Sequence, residues 1–321
     1  MKNIAPFFLL IFLITACGTG TQIPASQPTA TSISTSAPTN SPTPLPSPTI
    51  DLTASPTLAP TETPASLRVS SKDGMPQAFI PAGTFRMGGM DVHASDNEKP
   101  VHDVTLDAFW MDQLEVTNGM YALCVNAGAC EPPHLLKSQR RLDYYNNPEF
   151  KDYPVVYVAW GQASTYCEWT GRRLPTEAEW ERAARGDDLR TFPWGEAKPD
   201  ATIANFNFMV GDTTRVGTYA AGASPFGVFD MAGNVAEWVD DYFAVKAYET
   251  AETANPQGPA ETYTYQRVVR GGSLGDAEIN IRLAKRSAVA GPNPNALLDP
   301  AAWIGDYSPR IGFRCAESAQ K

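Results

Sequence analysis

Charge is missing from the start of this 321-residue chain: between Lys2 and Asp51 there is no Asp, Glu, Lys or Arg. Histidine is scarce as well, with only His93, His102 and His134, and none of them stands in a His-x-x-x-His frame. A metal site built on imidazoles would have to draw on His93, Asp96 and His102, and the blander assignment to surface or strand positions is preferred. No long hydrophobic run occurs. The most apolar stretch, Pro6 to Ala16, falls short of the about 20 residues that a membrane-spanning helix needs. No internal repeat of fixed period is present. The formal charge is −10, which argues against nucleic acid or an anionic membrane face as a partner and is compatible with cation binding.

What is present at the N-terminus has the layout of an export signal. Lys2 gives a small positive region, and the apolar Pro6 to Ala16 segment ends in small residues directly before Cys17. The run Ile14-Thr15-Ala16-Cys17-Gly18 resembles the lipobox of bacterial lipoproteins. That resemblance implies a signal peptide over 1–16, cleavage before Cys17, and acyl chains on that cysteine. The expected partner is then a lipid bilayer, and the expected location is extracytoplasmic, anchored to the cell membrane or outer membrane. Gly18 after the cysteine resembles the outer-membrane sorting pattern.

Residues 17–70 are dominated by Ser, Thr, Pro and Ala, as in Pro42-Thr-Pro-Leu-Pro-Ser-Pro. Such a composition cannot bury enough apolar surface to offset the entropy of ordering, so a flexible stalk is expected. Aromatics, glycines and charges appear together near Lys72 and persist to Ala316, which marks a single domain over 71–318.

Within it the pattern is mixed. Residues 77–88 read as two short strands around a turn at Ala82-Gly83, and Val101 to Trp110 alternates as one antiparallel strand. Thr117 suits the cap of a helix over 118–126. Trp160, Ala163 and Cys167 share one face of a helix over 159–170, with Gly171 at its exit. Thr176 and Glu179 form a capping box for a helix over 177–185, with Trp180 and Ala184 facing inward. Beyond Arg185, loops and short strands are expected.

Five cysteines are present, and if Cys17 carries lipid, Cys124, Cys130, Cys167 and Cys315 remain in an oxidising compartment. Three pairings are open. The nearness of Cys124 to Cys130 makes that small closure plausible, which would leave Cys167 for Cys315. None sits in a Cys-x-x-Cys frame, and nothing local marks a reactive thiol.

Eight motifs then occur in order: Phe79-Ile-Pro-Ala-Gly-Thr-Phe-Arg-Met-Gly, Glu115-Val-Thr-Asn, Tyr153-Pro-Val-Val, Gly171-Arg-Arg-Leu-Pro-Thr-Glu-Ala-Glu-Trp-Glu, Phe192-Pro-Trp-Gly, Gly227-Val-Phe-Asp-Met-Ala-Gly-Asn-Val-Ala-Glu-Trp, Arg270-Gly-Gly-Ser and Gly312-Phe-Arg-Cys-Ala. The series resembles the formylglycine-generating enzyme, or sulfatase-modifying-factor, family over residues 74–316. The resemblance implies an α+β, irregular C-type-lectin-like fold and a Cys167–Cys315 disulfide. It also implies one or two structural Ca2+ ions. Asp230, Gly233, Val235 and Glu237 match one ligand set, in which hard carboxylate and carbonyl oxygens suit the ion. Asn205, Phe206 and Asp212 match a second.

Formylglycine-generating enzymes hold copper on two cysteines shortly after the Gly-Gly-Ser motif, and Cu(I) requires such soft ligands. No cysteine lies between Cys167 and Cys315, so no copper is expected and no catalytic residue is assigned. The equivalent region offers Ser273, Asp276, Glu278, Asn280, Arg282 and Arg286, with Trp303 and Tyr307 as aromatic walls of a possible cleft. Ser273 has no histidine base in its motif, as a serine nucleophile requires. Arg282 and Arg286 divide evenly between lining that cleft and serving as internal scaffold, ion-paired with residues such as Asp276 or Glu237. The expected function is a surface-tethered binding or interaction module for an envelope protein, peptide or glycan. The competing expectations are a divergent oxidative maturase of an exported protein and a purely structural accessory.

Overall fold

Two apolar alternations in the first third of the domain give four strands, because the pleat breaks at Pro81-Ala82 and again at Asp107-Ala108. The computed structural model describes residues 67–260, 262–295 and 304–319, all within one compact unit spanning 60–321. Strands β1 (Leu67–Val69) and β2 (Pro76–Ile80) precede β3 (Gly83–Met87), β4 (His102–Leu106) and β5 (Phe109–Asp112). The two strands expected around Ala82-Gly83 both form, but they do not pair with each other. β3 pairs with β4, while β2 sits between β1 and β5. The single strand expected over 101–110 is likewise split between two sheets. Strand β1 lies ahead of the expected domain start at 71, tied in through its ladder to β2 and through Arg68, which bonds Gln77 and Glu317.

The third sheet carries the site. It contains β6 (Ala236–Tyr242), β7 (Gln266–Arg270), β8 (Ser287–Ala290) and β9 (Ile311–Phe313) in the order β8-β7-β6-β9, with only β6 and β9 parallel. After β9 the chain passes Cys315 and becomes β10 (Ala316–Ser318), which closes the first sheet against β5. One short C-terminal segment therefore stitches two sheets together.

Three α-helices form where their caps predict them. In α1 (Asn118–Asn126) the Thr117 Oγ1 accepts the Met120 N–H at 3.2 Å. Before α2 (Trp160–Trp169) the Gln162 Oε1 accepts the Ala159 N–H at 3.0 Å, and Gly171 follows with φ +81°. In α3 (Glu177–Arg185) Thr176 Oγ1 accepts the Glu179 N–H and Glu179 returns the bond to Thr176 N–H, at 3.2 and 2.9 Å. No other α-helix occurs among the described residues.

Trp180 and Ala184 do face inward, yet the charged residues of α3 are buried with them. Burying charge costs several kcal/mol per ion unless it is paired. Here Glu177 bonds Arg270 and Arg286, Glu181 bonds Arg270 and Arg185, and Arg182 bonds Asp187. The apolar core lies on either side of this ionic layer. One cluster gathers Ile80, Phe85, Met111 and Val268 around Trp180; another gathers Tyr121, Tyr166, Trp238 and Phe313 around Cys167 and Cys315.

Candidate functional site

The loop before β6 is built on left-handed backbone: Asp230, Gly233 and Asn234 have φ +58°, +84° and +56°. A Cβ at Gly233 would come within 2.4 Å of the Asn205 carbonyl oxygen, so only glycine allows this approach. The approach joins the two ligand sets expected from sequence. Asn234 N–H donates to Asn205 O at 2.7 Å, and Asn205 Nδ2 donates to Asn234 Oδ1 at 3.2 Å and to Asp212 O at 2.9 Å.

The Glu237 carboxylate is engaged by an arginine and a tryptophan. It accepts Arg314 Nε and Nη2, both at 2.6 Å, and Trp180 Nε1 at 2.8 Å, so a fixed guanidinium already supplies the positive charge. Asp230 accepts the Gly217 N–H at 2.6 Å, and burial pushes its acid up to about 6. Glu115, given no role in the sequence reading, accepts the Val235 N–H at 3.1 Å and Asn234 Nδ2 at 2.6 Å. Burial, then Asp230 and Glu237, raise it well above the usual carboxylate range. Among the described residues no three His, Cys, Asp or Glu side chains are placed to hold a metal.

The second set fits in one respect. Asn205 Oδ1 is buried without a hydrogen-bond partner. Beside it, the Phe206 carbonyl accepts the Met209 N–H, while Asp212 takes Ser138 Oγ, Arg140 N–H and Thr213 N–H at 2.6, 3.1 and 2.8 Å.

Leu274 N–H donates to Asn234 O, so the same loop supports the Gly271-Gly-Ser turn and the cleft beyond it. This cleft, of about 280 Å3, lies between β6, β7, β8 and the approach to β9. Ser273, Asp276 and Asn280 line it, as expected from sequence. Ser273 Oγ and N–H both donate to Asp276 Oδ2, at 2.6 and 2.8 Å, so the hydroxyl is spent on a carboxylate rather than aimed at a base. Glu278 is half-buried in a short 3-10 turn and does not line the cleft. Lys285, Ser287, Ser308 and Arg310 do, and no local sequence pattern marks them. Lys285 Nζ is 4.0 Å from Glu98, and among the described residues no carboxylate pairs with Arg310.

Arg282 and Arg286 are not cleft residues, which corrects half of the sequence expectation. Arg282 bonds Asp91, Glu98 and the His93 carbonyl; Arg286 grips Glu177 at 2.7 and 2.8 Å. Their partners are neither Asp276 nor Glu237, because Arg286 points into the ionic layer beside α3 and Arg282 into the segment between β3 and β4. Tyr307, 42% exposed, stacks on His134 at 4.1 Å outside the cleft lining. Trp303 and Cys17 lie outside the described residues.

The four cysteines of the domain form Cys124–Cys130 and Cys167–Cys315 disulfides, so no described residue offers a free thiol. The chain matches the sulfatase-modifying factor enzyme 1-like domain over residues 65–319. It belongs to this family. Among its relatives in the sulfatase-modifying-factor family, the formylglycine-generating enzyme of Streptomyces coelicolor is 31% identical, over 76% of this chain and 89% of that protein. The serine/threonine-protein kinase pkn1 of Chlamydia caviae is 34% identical over 75% of this chain, which spans only 38% of that protein's length. Hercynine oxygenase of Mycolicibacterium smegmatis is 33% identical, over 60% of this chain and 53% of that protein. PvdO from Pseudomonas aeruginosa has the same fold, with a TM-score of 0.65 and 28% identity, covering 81% of this chain and all of that one. The irregular α+β architecture is thus the C-type-lectin-like fold of this family.

Proposed function

We propose that this domain is a surface-tethered binding module that has lost copper chemistry and receives a segment of an envelope polypeptide in the Ser273 cleft. The observation that carries the proposal is the state of the cysteines: every thiol of the domain is in a disulfide, and the segment after Gly271-Gly-Ser presents Asp276 and Asn280 instead. Carboxylates and amides are poor ligands for Cu(I). What the cleft offers is recognition. Lys285 and Arg310 supply positive charge, Ser287 and Ser308 supply hydroxyls, and exposed Phe208, whose ring lies beside Gly275, supplies an apolar edge. A Cβ on Gly275 would meet both Arg310 Nη1 and the Phe208 ring, at 2.6 and 2.7 Å, so cation and aromatic converge at that glycine. A peptide carrying a carboxylate beside an apolar residue matches this arrangement.

The tether is part of the same proposal: acylation at Cys17 and the 17–70 stalk would hold the domain outside the cytoplasm, within reach of exported proteins. The same proposal places a structural calcium ion at Asn205, Phe206 and Asp212, where the bare Asn205 Oδ1 would meet a hard cation. A second reading, an oxidative maturase of an exported protein, is favoured by the 89% coverage of the Streptomyces coelicolor formylglycine-generating enzyme.

One pair of measurements separates the two. The chain, supplied with copper(I), oxygen and a sulfatase-type cysteine peptide, should leave the peptide mass unchanged, while acidic-apolar peptides bind and Arg310→Glu weakens them by about tenfold or more, as loss of a charge-assisted contact requires. Appearance of an aldehyde on the peptide would sink the binding-module reading in favour of the maturase.

A further inference from the structure

Asp241 and His102, each with an unmatched acceptor, line one cavity outside the Ser273 cleft. This cavity, of about 430 Å3, is bounded by β4, the start of α3, the end of β6 and residues 247–260, and has no lining residue in common with the Ser273 cleft. Its size is in the range of pockets that hold small organic molecules.

Asp241 lines it from the end of β6 and is 5% exposed. Its Oδ2 accepts the Glu177 N–H at 2.7 Å, at the first residue of α3. No described residue donates to its Oδ1. That oxygen lies over Gly258, where φ is +70° and a Cβ would come within 2.4 Å of it, so the backbone closes here without a side chain to fill the space. On another wall stands His102. Its Nδ1 lies 3.0 Å from the Pro100 carbonyl, which fixes the proton of the neutral ring on Nδ1 and leaves Nε2 as an acceptor. Nε2 is buried and has no partner.

The remaining lining decides the chemistry. Glu177, Asp241 and Glu252 line the cavity, and no lysine or arginine does. The Glu177 carboxylate is already held by Arg270 and Arg286, so it needs no ligand. Burial, reinforced by Glu177, pushes the Asp241 acid up to about 8, so the carboxyl carries its charge only above that pH or when a cation is bonded to it. Met87, Ala178 and the Tyr248 ring form apolar walls, and the Tyr248 ring packs 4.8 Å from His102. An anion would find no lysine or arginine in the lining to bond it. A purely apolar guest would leave both acceptors bare, at the cost that unmatched buried polar groups carry.

We infer that this cavity is a second ligand site, for a molecule bearing a primary ammonium group. The ammonium donates to Asp241 Oδ1 and His102 Nε2, and its carbon chain packs on Met87, Ala178 and Tyr248. A free alkylamine and a lysine side chain of another protein share this chemistry, and both are probed in the test.

The test titrates the full chain with n-butylammonium, with 1-butanol as its uncharged counterpart, and with a lysine-containing peptide, reading calorimetry or chemical shifts. Butylammonium should bind saturably and butanol should not. Asp241→Asn keeps an acceptor for the Glu177 N–H but loses the charge, and should weaken binding by about tenfold or more. His102→Phe keeps the ring against Tyr248 and should weaken it too, so the test stands even where one variant fails to fold. Lys198→Ala, exposed and outside both cavities, should leave butylammonium binding unchanged. Peptide binding as tight as butylammonium identifies the lysine side chain as the source; binding of the free amine alone identifies a small amine. Absence of saturable amine binding, equal binding of butanol, or unchanged affinity in both folded variants overturns the inference.

Discussion

Asp73 and Asp112 share a single guanidinium, that of Arg172, in a site closed to water. The two acids diverge. For Asp112 burial outweighs Arg172 and the Cys315 N–H and Gln77 bonds, and the acid rises to about 6. For Asp73 burial also raises the acid, but Arg172, with hydrogen bonds that include Tyr166, outweighs it and holds the group below its usual value. The signs follow from proton binding. With Asp112 raised above its unfolded value of about 3.9, the folded state binds the extra proton between about 4 and 6, so its contribution to stability falls as pH rises through that window. Asp73 behaves oppositely, losing its contribution only as pH falls below the unfolded value. Asp112→Asn keeps an oxygen for the Cys315 N–H while removing the titration. The stability of wild type relative to this variant should therefore drop by on the order of 2–3 kcal/mol between about pH 4 and pH 6.5, and stay flat above, when followed by urea denaturation at each pH. A difference that is flat throughout would refute the raised value.

At the same scale lies what the sequence could not place. Ser273, Asp276 and Asn280 were legible because they sit in one turn. Arg282 and Arg286 were not, since the acids that capture them, Asp91, Glu98 and Glu177, come from segments far away in the chain. Lys285, Ser308 and Arg310 reach the cleft from separate segments, and Glu237 looked like a free ligand because nothing beside it announces Arg314.

Elements were easier to read where their determinants are local. The α3 cap is complete within four residues, and the helix begins at Glu177 as Thr176 and Glu179 require. Strand pairing is not local. The hairpin-like spacing of β2 and β3 hides the fact that each pairs with a strand more than fifteen residues later, β5 and β4. Because α3 carries the acids that anchor Arg270 and Arg286, its start matters beyond the helix. Thr176→Ala should cost about 1 kcal/mol, within the range of about 0.5–2 for a lost cap. The expected result is a lower urea midpoint with an unchanged slope, since the native surface is kept. Glu179→Ala removes both its return bond to Thr176 and its grip on Arg173 at 2.6 Å, and should cost at least as much. A Glu179 variant as stable as wild type would show that the box is ornamental to the fold.

For the whole molecule, the ordered motifs disclosed the family fold, and the even cysteine count disclosed two disulfides without choosing among three pairings. The family resemblance named Cys167–Cys315, and in the structure that bridge holds Cys315 against α2 where the C-terminal segment leaves β9 for β10. That bridge closes a sequence separation of 148, whereas Cys124–Cys130 closes one of 6. In the chain-entropy account the constraint on the unfolded state grows with the logarithm of loop length, so the two bridges should differ in worth by about 2–3 kcal/mol. Cys315→Ser should lower stability by about 2–4 kcal/mol and the melting temperature by several degrees; the paired variant Cys124→Ser should do so by less. If Cys124→Ser proves the more damaging, the short loop beside α1, and not the stitch between the sheets, is what holds this irregular fold together.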